Sequence, residues 1–185
     1  MDLDSGEVLG MVSSPAYDPN VFTSSELRDQ VAALFQDKSA PLLNRTISGQ
    51  YPPGSVFKNI VAIAGLVSRK IIPKTSFSCP GYYQLGRRQF KCAHVHGIQD
   101  LFQGLAHSCN VYFFNVGDIV GADLMEKYAR VMGLGTLTKI DLPGEEKGNV
   151  PGRMERKLKF NRGWSKGDTL KIGRASCRER VYHPV

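Results

Sequence analysis

The stretch YPPGSVFKNIVAIAGLV, Tyr51–Val67, constrains this chain more than any other part of it. Pro52, Pro53 and Gly54 stop whatever precedes them, and the serine that follows is a favoured helix starter. The residues beyond are almost uniformly apolar, which predicts a buried helix from Ser55 to about Arg69. Such a helix must be covered on all sides, so the rest of the chain has to supply a core around it. At its mouth Ser55 and Lys58 stand three residues apart and share one face. A lone serine is a poor nucleophile near neutral pH and needs a base within hydrogen-bond reach. A lysine serves as that base where burial and a helix N-terminus lower its pKa. A capping serine followed by an ordinary helix lysine explains the same pair without any chemistry, so the pair needs company.

Company comes at LAHSCNVYFFNVG, where Ser108 and Asn110 form a Ser-x-Asn between two apolar segments. A second hydroxyl and an amide on a helix-linking turn are what a serine acyl-transfer site uses to relay a proton and hold a substrate amide. Helices are predicted for Ile98–His107, Asn110 to about Val120, and Ala122–Met132, the last stopped by GLG. A polar helix is expected near Ser24–Phe35, and GEVLGMVSS reads as an N-terminal strand after a DLDSG turn. Pro73–Gly97 reads as irregular, and KIDLPGEEKGNVPG as a short strand or turn leading into a loop. The sum is a mixed α/β (α+β) fold.

The longest apolar run, Ile60–Val67, falls far short of the roughly 20 residues that cross a bilayer. MDLDSGEVLGMVSS opens on acidic residues where a secretory leader would be basic, so any export signal is expected outside this sequence. The formal charge of +7 comes from scattered basic residues without groove-reading or stacking motifs, which argues against a nucleic-acid partner. Part of that charge sits in IGRASCRERV, a run without periodicity that begins at Ile172. Back-translated, it fits one frame of a common sequencing adapter. Residues 1–171 are therefore expected to be native sequence and 172–185 an adapter-derived, non-native tail, with native chain lost beyond Lys171; if Met1 is an internal methionine, the partner of the N-terminal strand is lost upstream as well.

Ser-x-x-Lys followed about 50 residues later by Ser-x-Asn gives two of the three boxes of penicillin-recognising enzymes; the third, Lys-Thr-Gly, is absent from the chain. With DSGEVLGMVSSPAYDPN, PLLNRTISGQYPPGSVFK, CPGYYQLG, HSCNVYFF, IDLPGE and GWSKGDTLKIG, the chain resembles the transpeptidase domain of the elongation-type class B penicillin-binding proteins across residues 1–173. The resemblance implies a penicillin-binding, serine β-lactamase-like transpeptidase fold, incomplete here: the helical part and N-terminal strand are expected, and the later sheet strands are expected to be missing. It implies Ser55 as acylated nucleophile, Lys58 as its base, and Ser108 and Asn110 as the second box. It also implies peptidoglycan stem peptides and β-lactams as ligands, a membrane-embedded glycan polymerase as partner, and the periplasmic face of the bacterial inner membrane as location. The chain as given is expected to be inactive without Lys-Thr-Gly. A β-lactamase or D,D-carboxypeptidase of the same fold, or a non-catalytic penicillin-binding sensor, are the rival readings.

Cys79, Cys92 and Cys109 accompany His94 and His96 in and just beyond the irregular segment. Sulfur and imidazole donors grouped this way suit a structural Zn²⁺ as Cys₃His, with His96 the better fourth ligand because its His-Gly context matches the resembled family. A Cys79–Cys92 disulfide is the alternative in an oxidising compartment, with Cys109 then a small buried residue. No cofactor is expected for the chemistry itself.

Overall fold

The protein is described here by a computed structural model covering residues 1–174. Two compact units emerge from its contacts: Met1–Gln50 with Leu137–Glu146, and Tyr51–Thr136 with the segment that starts at Lys147.

In the first unit a 3-10 turn, Pro19–Phe22, starts at Asp18, whose carboxylate accepts from the Asn20 N–H at 2.9 Å. Helix α1 spans Arg28–Gln36, a turn later than the sequence indicates, and buries none of its residues. The expected strand over GEVLGMVSS does not form: residues 6–13 carry no ladder, and Val8, Leu9 and Val12 are exposed. A strand exists only through inter-strand hydrogen bonds, and alternation of side chains cannot supply the partner. IDLPGEE is turn rather than strand, fixed by Glu145, which accepts from Thr138 N–H and Oγ1 at 2.6 Å each.

The second unit holds the core. Helix α2, Phe57–Val67, buries Phe57, Ile60, Val61, Ala62 and Ala64, as its sequence demands. The stretch expected to be irregular instead folds into two small antiparallel ladders: β1, Phe77–Cys79, pairs with β4, Gly97–Gln99, and β2, Tyr82–Leu85, pairs with β3, Arg88–Lys91. Gly86, at φ +55°, takes the first place of the two-residue turn between β2 and β3, a conformation that hairpin turns reserve for glycine. Because β4 claims Ile98 and Gln99, helix α3 begins later than expected and runs Leu101–Ala106, with a capping box between Asp100 and Gln103.

Helix α4, Asn110–Val120, is the spine of this unit, with Tyr112, Phe113, Phe114 and Val116 fully buried. Helix α5, Ala122–Val131, follows after Gly121 at φ +82°. Helices α6, Arg153–Phe160, and α7, Lys166–Arg174, complete it. Helix α7 opens on a reciprocal Ser165–Asp168 cap, Asp168 also pairing with Arg156 at 3.1 Å. The boundary drawn at residue 172 falls inside α7, where Leu170 and Ile172 are buried; the remaining tail, 175–185, lies outside the described residues. No helix among the described residues is long and apolar enough to cross a membrane. Mixed helices with small ladders, rather than a large sheet, are what the incomplete α/β expectation anticipates.

Candidate active site

Pro53 and Gly54 deliver the chain into a 3-10 turn, Gly54–Val56, with Gly54 at φ +59°. Ser55 sits on that turn and is exposed, while Lys58, in the first turn of α2, is 1% exposed. An ammonium buried this deeply needs partners for its three N–H donors. The turn between α3 and α4 supplies them: Lys58 Nζ donates to Ser108 O at 2.6 Å, Ser108 Oγ at 2.8 Å and Asn110 Oδ1 at 2.9 Å. Ser108 Oγ in turn lies 2.8 Å from Ser55 Oγ. One hydrogen-bonded run therefore joins all four residues singled out in the sequence.

The turn itself is a Schellman motif closed by a serine. Cys109 N–H bonds to Gly104 O at 2.8 Å and Ser108 N–H to Leu105 O at 3.0 Å, which places Ser108 in the left-handed region at φ +49°. Glycine is the usual occupant of that position, and a serine there costs roughly 1–2 kcal/mol. In return its hydroxyl points at the Ser55–Lys58 pair. Cys109 is the N-cap of α4, its sulfur accepting from Tyr112 N–H at 3.4 Å.

Several contributors carry no sequence signal of their own. The Phe113 ring lies 5.7 Å from Lys58 Nζ, a cation–π contact one helical turn beyond Asn110. Asn110 is held from the end of β3 and the residue after it, its N–H donating to Cys92 Sγ at 3.2 Å and its Nδ2 to Lys91 O at 3.5 Å. Behind the turn His107 Nδ1 meets Gln99 Oε1 at 2.6 Å, and the His107 ring stacks on His96 at 5.7 Å. Only long-range packing brings these together, so local pattern could not have found them.

Cys79, Cys92, His96 and Cys109 converge, their ligand atoms all within 4.8 Å of one another. His96 Nδ1 is 3.5 Å from both Cys79 Sγ and Cys92 Sγ, and Cys92 Sγ is 4.0 Å from Cys109 Sγ. Tetrahedral zinc with bonds of about 2.3 Å to sulfur and 2.0–2.1 Å to nitrogen implies edges of about 3.5–3.8 Å, so the donor set suits that ion in chemistry, and its two His96–sulfur edges of 3.5 Å match it in size. The three cysteines are free, and the alternative Cys79–Cys92 disulfide is not formed. His94, which is not one of the four converging donors, lies beside the cluster, its carbonyl 3.6 Å from Cys79 Sγ and its ring edge-on to His96 at 6.0 Å between centroids. Burial drives the Cys109 thiol up to about 12. Burial also pushes Cys92 up, yet the N–H groups of Val111, Asn110 and His94 outweigh it and hold that thiol below its ordinary value. His96 is lowered, first by burial and then by the charges of His107, His94 and Lys58.

Comparison with known proteins agrees with this architecture. The family model described as the penicillin binding protein transpeptidase domain matches residues 1–173. The peptidoglycan D,D-transpeptidase MrdA of Escherichia coli K12 is 34% identical over 176 residues, 93% of this chain and 28% of the relative. MrdA of Acinetobacter baumannii is 33% identical over 93% of the chain and 26% of the relative. The chain thus spans less than a third of the length of these relatives. Among solved structures, PBP2 of Helicobacter pylori in complex with MreC superposes at a TM-score of 0.91, with 32% identity over 98% of this chain and 34% of that one. Pseudomonas aeruginosa PBP2 in complex with WCK 5153 gives a TM-score of 0.87 with 31% identity over 98% of this chain and 40% of that one. The chain therefore belongs to the penicillin binding protein transpeptidase domain family.

Proposed function

We propose that this chain is the nucleophile-bearing part of a peptidoglycan D,D-transpeptidase, and that Ser55 forms its acyl-enzyme. The run from Ser55 Oγ through Ser108 Oγ to Lys58 Nζ and Asn110 Oδ1 carries the reading. With Lys58 as the free amine, Ser108 donates to it and accepts from Ser55, so the Ser55 proton leaves through Ser108 as Oγ attacks the penultimate D-Ala carbonyl. D-alanine departs with a proton returned along the same path. The amine of a neighbouring stem peptide then attacks the ester, forming the cross-link and freeing Ser55. Asn110 is placed to hold the donor amide. A β-lactam enters by the same attack, its ring C–N bond opening in place of the peptide bond.

The Lys-Thr-Gly box is not in this chain, and the backbone donor such a strand supplies to an oxyanion hole is worth roughly 3–4 kcal/mol in other serine enzymes. The full-length parent is thus expected to be labelled by fluorescent penicillin in a Ser55-dependent manner, and residues 1–171 alone to remain unlabelled. Equal labelling of wild type and Ser55→Ala would defeat the assignment. Hydrolytic turnover of labelled penicillin in place of a lasting adduct would move the parent to the β-lactamase class. By analogy with the PBP2–MreC and peptidoglycan synthase complexes among the structural relatives, the parent works in a cell-wall assembly with a membrane-embedded polymerase, on the periplasmic face of the inner membrane.

A structural Zn²⁺ on Cys79, Cys92, His96 and Cys109 belongs to the same proposal. Bound there, it would tie the end of β1 and the β3–β4 loop to the turn that carries Ser108 and Asn110, and no step of acyl transfer passes through it. Elemental analysis of the parent should give one zinc per chain, lost in Cys92→Ser. Absence of metal together with a mapped Cys79–Cys92 disulfide would refute the assignment.

A further inference from the structure

Among the three thiols that converge behind the proposed reaction centre, Cys92 alone belongs to a residue that solvent reaches. It is half-buried, while Cys79 and Cys109 are 1% and 0% exposed. Thiol oxidation follows access, so an oxidant meets Cys92 first. The group that waits behind it is another thiol. Cys92 Sγ lies 4.0 Å from Cys109 Sγ, and a disulfide closes that gap with a displacement of about 2 Å. The hydrogen of Cys79 Sγ is engaged at His94 O, 3.6 Å away.

Both sulfurs of the Cys92–Cys109 pair bear on the reaction centre. Cys109 stands between Ser108 and Asn110, the residues that carry three acceptors of Lys58 Nζ. Its N–H closes the Schellman turn at Gly104 O, and its sulfur caps α4 at Tyr112 N–H. Cys92 Sγ accepts from Asn110 N–H at 3.2 Å, and Cys92 N–H is fixed to Gly81 O at 2.8 Å. With both backbones anchored, the displacement is taken from the hydrogen bonds of the sulfurs themselves. Asn110 and Tyr112 lose their acceptors, and the turn that holds Ser108 shifts. Misplacing a reacting group by about 1 Å costs on the order of 10²-fold in rate.

We propose that Cys92 and Cys109 form an oxidation site for hydroperoxides, and that the disulfide made there switches off acylation at Ser55 until it is reduced. The Cys92 sulfur attacks the peroxide, breaking the O–O bond and giving a sulfenic acid and an alcohol, or water where the oxidant is hydrogen peroxide. The Cys109 sulfur then displaces the hydroxyl from Cys92, forming the S–S bond, and the Cys109 proton leaves with that hydroxyl as water. The peroxide thereby gains the two electrons that the thiols lose, and a dithiol reductant returns them. The same oxidation excludes a metal from the cluster, because both sulfurs serve an ion only as thiolates. The effect on rate rests on the assignment of Ser55 as nucleophile; the disulfide does not.

The test uses the full-length parent, reduced, desalted and then treated with an equimolar amount of hydrogen peroxide. Peptide mass mapping should find Cys92 joined to Cys109, and acylation by fluorescent penicillin should slow by about 10- to 100-fold relative to the untreated protein. Dithiothreitol should restore the rate. Cys92→Ser should lose the response, its rate being the same with and without peroxide whatever its untreated level. Where that variant fails to fold, mapping of the wild type and recovery in dithiothreitol decide the matter. The switch is overturned by thiols that stay free, by a disulfide mapped between Cys79 and Cys92, by a Cys92–Cys109 disulfide that leaves the rate unslowed, or by a loss of rate that dithiothreitol does not restore. Reduced wild type unlabelled by penicillin overturns the nucleophile assignment and with it the control of rate, whereas the mapped disulfide still decides the oxidation site.

Discussion

Ser108 carries two burdens. Its backbone closes α3 in a conformation suited to glycine, at φ +49°, and its hydroxyl links Ser55 to Lys58. The two can be separated by substitution. Ser108→Gly removes the hydroxyl and relieves the backbone, whereas Ser108→Ala removes the hydroxyl and keeps the strain. Both should slow penicillin acylation of the parent by roughly 10²–10⁴-fold, the range of a lost proton-transfer partner. In denaturant titration Ser108→Gly should be the more stable of the two by about 1 kcal/mol. Acylation of Ser108→Gly at the wild-type rate would show that the relay is not needed. The sequence marked Ser55, Lys58, Ser108 and Asn110 because their types and order carry chemistry. It gave no hint of the left-handed serine, nor of Phe113 over Lys58, since both depend on where α4 lies.

The joint between α3 and α4 is the element that sets the site. Gly104 supplies the carbonyl that closes the Schellman turn, and it also faces Tyr112 across the joint. A Cβ there would stand 2.7 Å from the Tyr112 ring, which is fully buried and packed between Phe77 and Phe113. Gly104→Ala is therefore expected to destabilise the parent by roughly 1–3 kcal/mol, seen as a lower urea midpoint, as overpacked cores do. An unchanged midpoint would mean that the joint yields without cost. Elements with strong helical patterning were legible: α4 has the bounds read from its sequence, and α2 and α5 differ from theirs by a residue or two at their ends. The ladders of 77–99 were not, because short strands rich in Cys, Gly and Tyr are defined by their partners. The start of α3 moved for the same reason, once β4 had taken Ile98.

Across the second unit, Asp118 on α4 gathers β2 and α7, accepting from Tyr83 OH at 3.1 Å and from Lys166 Nζ at 2.8 Å. Burial and then Asp118 raise the Tyr83 pKa, and the hydrogen bond to Asp118 raises that of Lys166. Both groups hold their protons more tightly folded than unfolded. Their contribution is complete below the unfolded values near ~10 and is lost as pH climbs through the higher folded ones. The urea midpoint of the parent should accordingly be level from about pH 7 to 9 and fall above about 10, with a shallower fall and a lower starting point in Asp118→Asn. Identical slopes for the two proteins would remove Asp118 as the cause. At this scale the sequence determined that an apolar helix would be buried with a serine and a lysine at its mouth, because solvent aversion and helical period act locally on any chain with that pattern. Tertiary structure alone decided that Lys58 would find its three acceptors on a turn 50 residues away and that three sulfurs and an imidazole would meet. It also left GEVLGMVSS without a ladder. Contacts of that kind repay loop-closure entropy only when the whole core forms, so no stretch of sequence contains them by itself.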